Sequence, residues 1–110
     1  MAKYEKIFYG DMDQVLDRLD KAILFGSVSA SFEAGSDYYE GSVRCVVRVY
    51  ERYSMIGSNR LSLTLTMTGE NGCNHLVAIA SGGSSAVFFK INRWGEDAFL
   101  DVVREELDSL

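Results

Sequence analysis

Residues 43–53 read V-R-C-V-V-R-V-Y-E-R-Y. Val43, Cys45, Val47 and Val49 alternate with Arg44, Val46, Arg48, Tyr50 and Arg52, a period of two that makes a half-buried strand. At about 3.3 Å per residue the stretch crosses a small domain, and its expected place is the centre of a sheet. The alternation sends the first set to a core and the second set, with its three arginines, to the opposite face.

Working outward, residues 61–68 have the cleanest pattern in the chain. Leu61, Leu63, Leu65 and Met67 alternate with Ser62, Thr64, Thr66 and Thr68. One face is expected in a core and the other is lined by hydroxyls. Asn71-Gly72 is a strong two-residue hairpin signal, because a type I′ turn needs positive φ at both positions. It sets Glu70 opposite Cys73, Thr68 opposite His75, Thr66 opposite Val77 and Thr64 opposite Ile79. Leu76, Ala78 and Ala80 then join the leucine side. A loop over 55–59 sets Arg44 opposite Glu70, Arg48 opposite Thr66 and Tyr50 opposite Thr64.

Upstream, residues 3–9 read as a first strand, closed by Gly10. Asp11 caps a helix in which Met12, Val15, Leu16, Leu19, Ala22 and Ile23 recur at spacings of three and four. Asp13, Gln14, Asp17, Arg18, Asp20 and Lys21 take its wet side, and Gly26 is expected to end it with a positive φ. A strand runs from Ser27, with Val28, Ala30 and Phe32 inward and Ser29 and Glu33 facing Arg48 and Arg44. Residues 34–42, A-G-S-D-Y-Y-E-G-S, read as a turn-rich connection. After S-G-G-S-S at 81–85, residues 86–91 (A-V-F-F-K-I) read as a last strand with Val87, Phe89 and Ile91 inward. A closing helix begins near Gly95, with Glu96 and Asp97 in its first turn and Phe99, Val103, Leu107 and Leu110 on one side, flanked by Val102.

The order β-α-β-β-β-β-β-α, with two helices that each carry one apolar stripe, gives a single two-layer α+β domain over residues 1–110. Its sheet is mostly antiparallel, of five or six strands, with both helices on one face. The chain has 110 residues, an apolar fraction of 47% and two cysteines, which suits one folded domain with free thiols. Its net charge of −5 disfavours nucleic acid and anionic membrane as partners, since both select basic surfaces. No apolar run approaches the roughly 20 residues of a membrane span. The start, M-A-K-Y-E-K, lacks a leader-like segment, so an intact cytoplasmic protein is expected.

With the helices on the leucine side, the open face is expected to present Arg44, Arg48, Tyr50, Arg52, Thr64, Thr66, His75, Val77 and Ile79. A plain solvated sheet surface is the simplest reading of this face; because arginine and tyrosine anchor interfaces, the leading functional reading is a homodimer through it. The runner-up is a small hydrophobic-ligand site between sheet and helices, where Leu63 meets Ala80 and Leu65 meets Ala78. Tyr38, Tyr39 and Trp94 form a second candidate patch if their loops lie together.

Catalytic chemistry has little to work with. His75 is the single histidine, with no carboxylate assigned beside it, so neither a metal nor any other cofactor is expected. S-G-G-S-S lacks the G-K-[ST] ending of a phosphate loop and lies between two strands, which makes it a hairpin turn. A hydrolase or transferase stands third, with Arg48, His75 and the glycine turn as its polar groups.

The strings G-S-V-S-A-S at 26–31, V-R-C-V-V-R-V-Y-E-R-Y at 43–53, S-G-G-S at 81–84 and A-V-F-F-K-I-N-R-W-G-E at 86–96 resemble a family of short Firmicutes proteins with a domain of unknown function. The resemblance covers nearly the whole chain. It implies a bacterial, cytoplasmic protein and brings no activity, cofactor or catalytic residue with it.

Overall fold

In the computed structural model residues 2–27, 29–53, 60–82 and 89–110 are described, residues 89–95 by their backbone alone. The elements are β1 (Ala2–Tyr9), α1 (Met12–Phe25), β2 (Ser31–Glu40), β3 (Val43–Tyr53), β4 (Arg60–Glu70), β5 (Cys73–Gly82) and α2 (Phe89–Asp108). The strands form one antiparallel sheet in the order β1-β5-β4-β3-β2. The α+β class and the placement of both helices over the leucine side hold.

The hairpin at Asn71-Gly72 sets the frame. Asn71 (φ 52°) and Gly72 (φ 80°) both take the left-handed conformation of a type I′ turn. Every pairing expected from that turn is present, from Glu70↔Cys73 through Thr66↔Val77 to Leu63↔Ala80. Leu61, Leu63, Leu65, Met67, Leu76, Ala78 and Ala80 are thereby buried together. They meet Leu19 and Ile23 of α1 and Phe99, Leu100, Val103 and Leu107 of α2 in one core. β1 adds Ala2 and Phe8 to this core from its place beside β5.

From β1 on one edge, the chain crosses the helical face as α1 and reaches β2 on the other edge. Asp11 caps α1 by accepting the Asp13 N–H at 2.9 Å. The crossing is pinned at the hairpin: the buried Asn74 amide donates to the Gly10 carbonyl at 3.0 Å, and the Gly10 N–H donates to the Gly72 carbonyl at 2.9 Å. Gly69 lies directly under Met12 and Asn74, where a Cβ would collide with both side chains. Arg18 of α1 then reaches Glu106 of α2 and Ser109 just after it.

Several expectations are corrected. The middle strand is β4, and β3 lies between it and the edge strand β2. Residues 34–40 form most of β2 instead of a turn, and Glu40 pairs with Val43 across a two-residue turn at Gly41 (φ 61°) and Ser42. Pairing with β3 overrides the turn-like composition, as an edge strand exposed to water tolerates Gly, Ser and Asp. Gly26 closes α1 in the right-handed region at φ −77°. α2 begins at Phe89, so Phe89, Lys90 and Ile91 are helical, no sixth strand is present among the described residues, and Glu96 and Asp97 lie past its first turn. A short apolar run suits a strand or a buried helix equally well, and here the helix wins. Leu110 is exposed at the end of α2. Val28 and Val87 lie outside the described residues.

The largest correction concerns β3. Tyr53 pairs with Arg60, so six residues separate β3 from β4 instead of five. A slip of one residue exchanges the two faces of a strand. Arg48 consequently stands opposite Leu65 and Tyr50 opposite Leu63, while Val47 meets Thr66 and Val49 meets Thr64. Tyr50 is fully buried and Val46 is 3% exposed on the helical side. Arg44, Arg48 and Arg52 lie beside them, not on the open face. The exchange stabilises because the large Tyr50 ring replaces a valine in the core and the acids of α1 meet the arginines, whose stems pass along the layer to reach them.

Candidate interaction face

The side of the sheet away from the helices is assembled by register. One row runs Ala34, Val49, Thr64, Ile79, Lys3; the next runs Ser36, Val47, Thr66, Val77, Glu5; a third runs Tyr38, Cys45, Thr68, His75, Ile7. Across β2, β3, β4 and β5 these rows contain no Asp, Glu, Lys or Arg. Charge appears only at the border. Lys3 and Glu5 stand on the edge strand β1, Ser42 binds the Glu70 carboxylate at one end, and Arg60 joins Glu51 (2.9 Å) and Glu33 (3.9 Å) at the other.

Of the residues expected here, Thr64, Thr66, His75, Val77 and Ile79 are on this face. Arg44, Arg48, Tyr50 and Arg52 are not, and Val43, Cys45, Val47 and Val49 take their place. The face is thus more apolar than the sequence pattern suggests. Ile7 is 58% exposed on it, and the β3 valines are partly accessible. A solvated antiparallel face ordinarily alternates to polar residues; here the polar contribution is a threonine strip with aliphatic strips on either side. His75 has a carboxylate neighbour after all, with Nε2 3.9 Å from Glu5 Oε1. Seeing that contact requires the pairing of β1 with β5, which no turn signal announces.

The arginine row forms a polar seam between α1 and the sheet. Arg44 grips Asp37 of β2 through two N–H bonds (2.9 and 2.6 Å) and Asp13 of α1 through a third (2.8 Å). Those bonds raise the Arg44 pKa further and hold the Asp37 carboxyl below its ordinary range. Asp20 accepts the Tyr50 hydroxyl at 2.6 Å and Arg48 Nη1 at 3.4 Å through the same oxygen. Burial, reinforced by the bond to Asp20 and opposed by Arg48, pushes the Tyr50 hydroxyl up to about 12. The Arg52 guanidinium stacks 4.4 Å from the centre of the Phe99 ring, and burial lowers its pKa. Ser29 and Glu33 do not meet Arg48 and Arg44 as expected; Asp20, Asp13 and Asp37 do.

The space foreseen between Leu63–Ala80 and Leu65–Ala78 lies within the fully buried core. A concavity of about 550 Å³ opens elsewhere, between α1 and the inner side of β2 and β3, lined by Asp20, Leu24, Phe32, Gly35, Val46 and Arg48. Tyr38 and Tyr39 are strand residues on opposite sides of β2, and Trp94 lies in α2 with its side chain outside the described residues. Among the described residues no helix is long and apolar enough to cross a membrane, and no three His, Cys, Asp or Glu side chains gather as a metal site.

No curated protein and no solved structure matches the chain. A family model matches residues 1–110, and the chain therefore belongs to the family of unknown function DUF6054.

Proposed function

We propose that this is a non-enzymatic module acting by self-association through the open sheet face, in the cytoplasm of a Firmicutes bacterium as the sequence resemblance implies. The observation that carries the reading is the charge-free field across β2 to β5 with its charged border, the layout of an interface core and rim. A neutral face meets a copy of itself without like-charge repulsion, which an isologous dimer requires. Five strands about 4.8 Å apart and about 34 Å long present roughly 800 Å² per partner, the area of a standard stable interface. β-branched Val47, Val49, Val77 and Ile79 also lose little side-chain entropy on burial.

Sedimentation equilibrium over the micromolar range tests this. The wild-type mass should rise from 12.3 kDa toward twice that value with concentration. Val47→Asp, at the centre of the field, should stay monomeric with an unchanged far-ultraviolet spectrum. A wild-type chain that stays monomeric throughout removes the reading.

A further inference from the structure

The helical layer leaves one strand uncovered. α2 packs on β5, β1 and β4, and α1 reaches β3 through Asp13–Arg44, Asp20–Arg48 and Asp20–Tyr50. Two helices at about 10 Å spacing cannot span five strands, which are about 24 Å wide including their borders. β2 is accordingly exposed from Phe32 to Glu40 on both faces. It is also a sheet edge, so among the described residues no strand lies on one side of its backbone. The 550 Å³ concavity lies against this strand.

Three features of the concavity point to the same kind of occupant. Its walls are apolar: Leu24 from α1, Val46 from β3, and the Phe32 ring, which is 48% exposed and meets Tyr50 edge-on at 5.7 Å. Gly35 leaves room for that ring to lie across the strand, since a Cβ there would stand 3.1 Å from it. Its polar pair stays accessible: the Asp20 and Arg48 side chains are each 32% exposed beside the shared Asp20 Oδ1 that takes Arg48 Nη1 and the Tyr50 hydroxyl. A group that both accepts and donates, as a peptide unit does, satisfies such a pair. The strand itself carries Glu33, Asp37 and Glu40 with no Lys, Arg or His over residues 31–40; Asp37 is held by Arg44 and Glu33 lies 3.9 Å from Arg60, while Glu40 is exposed at the end of the strand.

We propose that β2 and α1 form a docking groove for an extended peptide segment of another protein. The segment adds to the sheet at β2, places one large apolar side chain against Phe32, Leu24 and Val46, and carries a basic residue toward Glu40. Main-chain pairing at an edge supplies affinity, and the pocket beside it supplies selectivity. A second copy of this chain is the poorer occupant, because β2 paired with β2 doubles the acids along one ladder and adds no base. Most of the groove's lining lies on the helical side of the sheet; Ser36 and Val47 belong both to it and to the open face.

The test is selection of a displayed library of random ten-residue peptides on the immobilised full chain, followed by fluorescence anisotropy with the enriched sequence. Enriched peptides should alternate apolar residues with at least one Lys or Arg and slow amide exchange over residues 31–40. Phe32→Ala and Leu24→Glu should each weaken binding by tenfold or more. Both positions are partly exposed, so folding is preserved, and an unchanged circular dichroism spectrum verifies it. Val77→Asp, on the open face and outside the lining of the groove, should leave binding unchanged. Failure to enrich any sequence, binding insensitive to both groove variants, or exchange protection on β4 instead of β2 each overturns the proposal.

Discussion

Replacing Tyr50 by Phe removes one oxygen and leaves the ring, so it isolates the bond that ties β3 to α1. The hydroxyl donates to Asp20 at 2.6 Å from a fully buried side chain. A hydrogen bond to a charged acceptor contributes about 1.5–3 kcal/mol. Asp20 is 32% exposed and keeps its contact with Arg48, so water replaces part of the lost interaction. Tyr50→Phe should therefore cost about 1–2 kcal/mol in urea unfolding, with an unchanged slope. The loss should nearly vanish when Asp20→Asn is already present, because a double-mutant cycle reports their coupling. Alkaline pH provides a second readout. The pKa of Tyr50 is raised from 10.0 to about 12, so the folded state holds this proton more tightly than the unfolded chain. That contribution is fully present below about pH 10 and is lost as pH rises through about 12. The stability gap between wild type and Tyr50→Phe should narrow across this window by about 1 kcal/mol after allowance for solvent screening. The other tyrosines titrate in both proteins and cancel. A neutral Tyr50→Phe substitution with no pH-dependent gap would refute the burial of the arginine–tyrosine row and return it to the open face.

Further outcomes follow from the same geometry. Leu65→Ala should cost about 2–5 kcal/mol in urea unfolding, since its side chain is buried between Ala78 and the helices. Gly72→Ala should cost about 1–2 kcal/mol by the same assay, because φ 80° is unfavourable for a residue with a Cβ. Asp37 should titrate below an ordinary carboxylate by carbon-detected NMR and return to the usual range in Arg44→Met, since its depressed pKa comes first from the Arg44 hydrogen bonds. The stability this carboxylate contributes is present above the ordinary aspartate pKa and is lost as pH falls through the lower folded value.

How much the sequence disclosed depended on whether local chemistry set the register. Asn71-Gly72 requires one turn geometry, so the pairing of β4 with β5 and the inward set from Leu61 to Ala80 were legible residue by residue. The connection between β3 and β4 had no such signal, and a one-residue error in its length exchanged Val47 with Arg48 and Val49 with Tyr50. Hydropathy alone favoured the wrong assignment, because it ranks valine above an arginine stem and cannot pair Asp13 and Asp20 of α1 with Arg44 and Arg48. Those acids looked like a wet helix face, yet they form the counter-charges of the seam. β2 was obscured by Gly35, Ser36 and Asp37, which suit a turn until β3 pairs with them. The apolar run before Gly95 was ambiguous between strand and helix for want of length. The open face was correctly expected to exist, and its threonine, valine and isoleucine members on β4 and β5 were placed; its aliphatic strip on β3 became visible only with the register.

Alkylation of the two cysteines tests the arrangement of this face most directly. Cys45 is half-buried within the third row of the open face, and Cys73 is exposed at the hairpin end of β5. With iodoacetamide and mass-spectrometric readout, Cys45 should react in dilute solution, more slowly than Cys73. Its rate should fall several-fold as protein concentration rises through the micromolar range while that of Cys73 changes little, and Val47→Asp should abolish the difference. A Cys45 that is inert at every concentration would place it in the core, and one that reacts at a concentration-independent rate would leave the face without a partner copy.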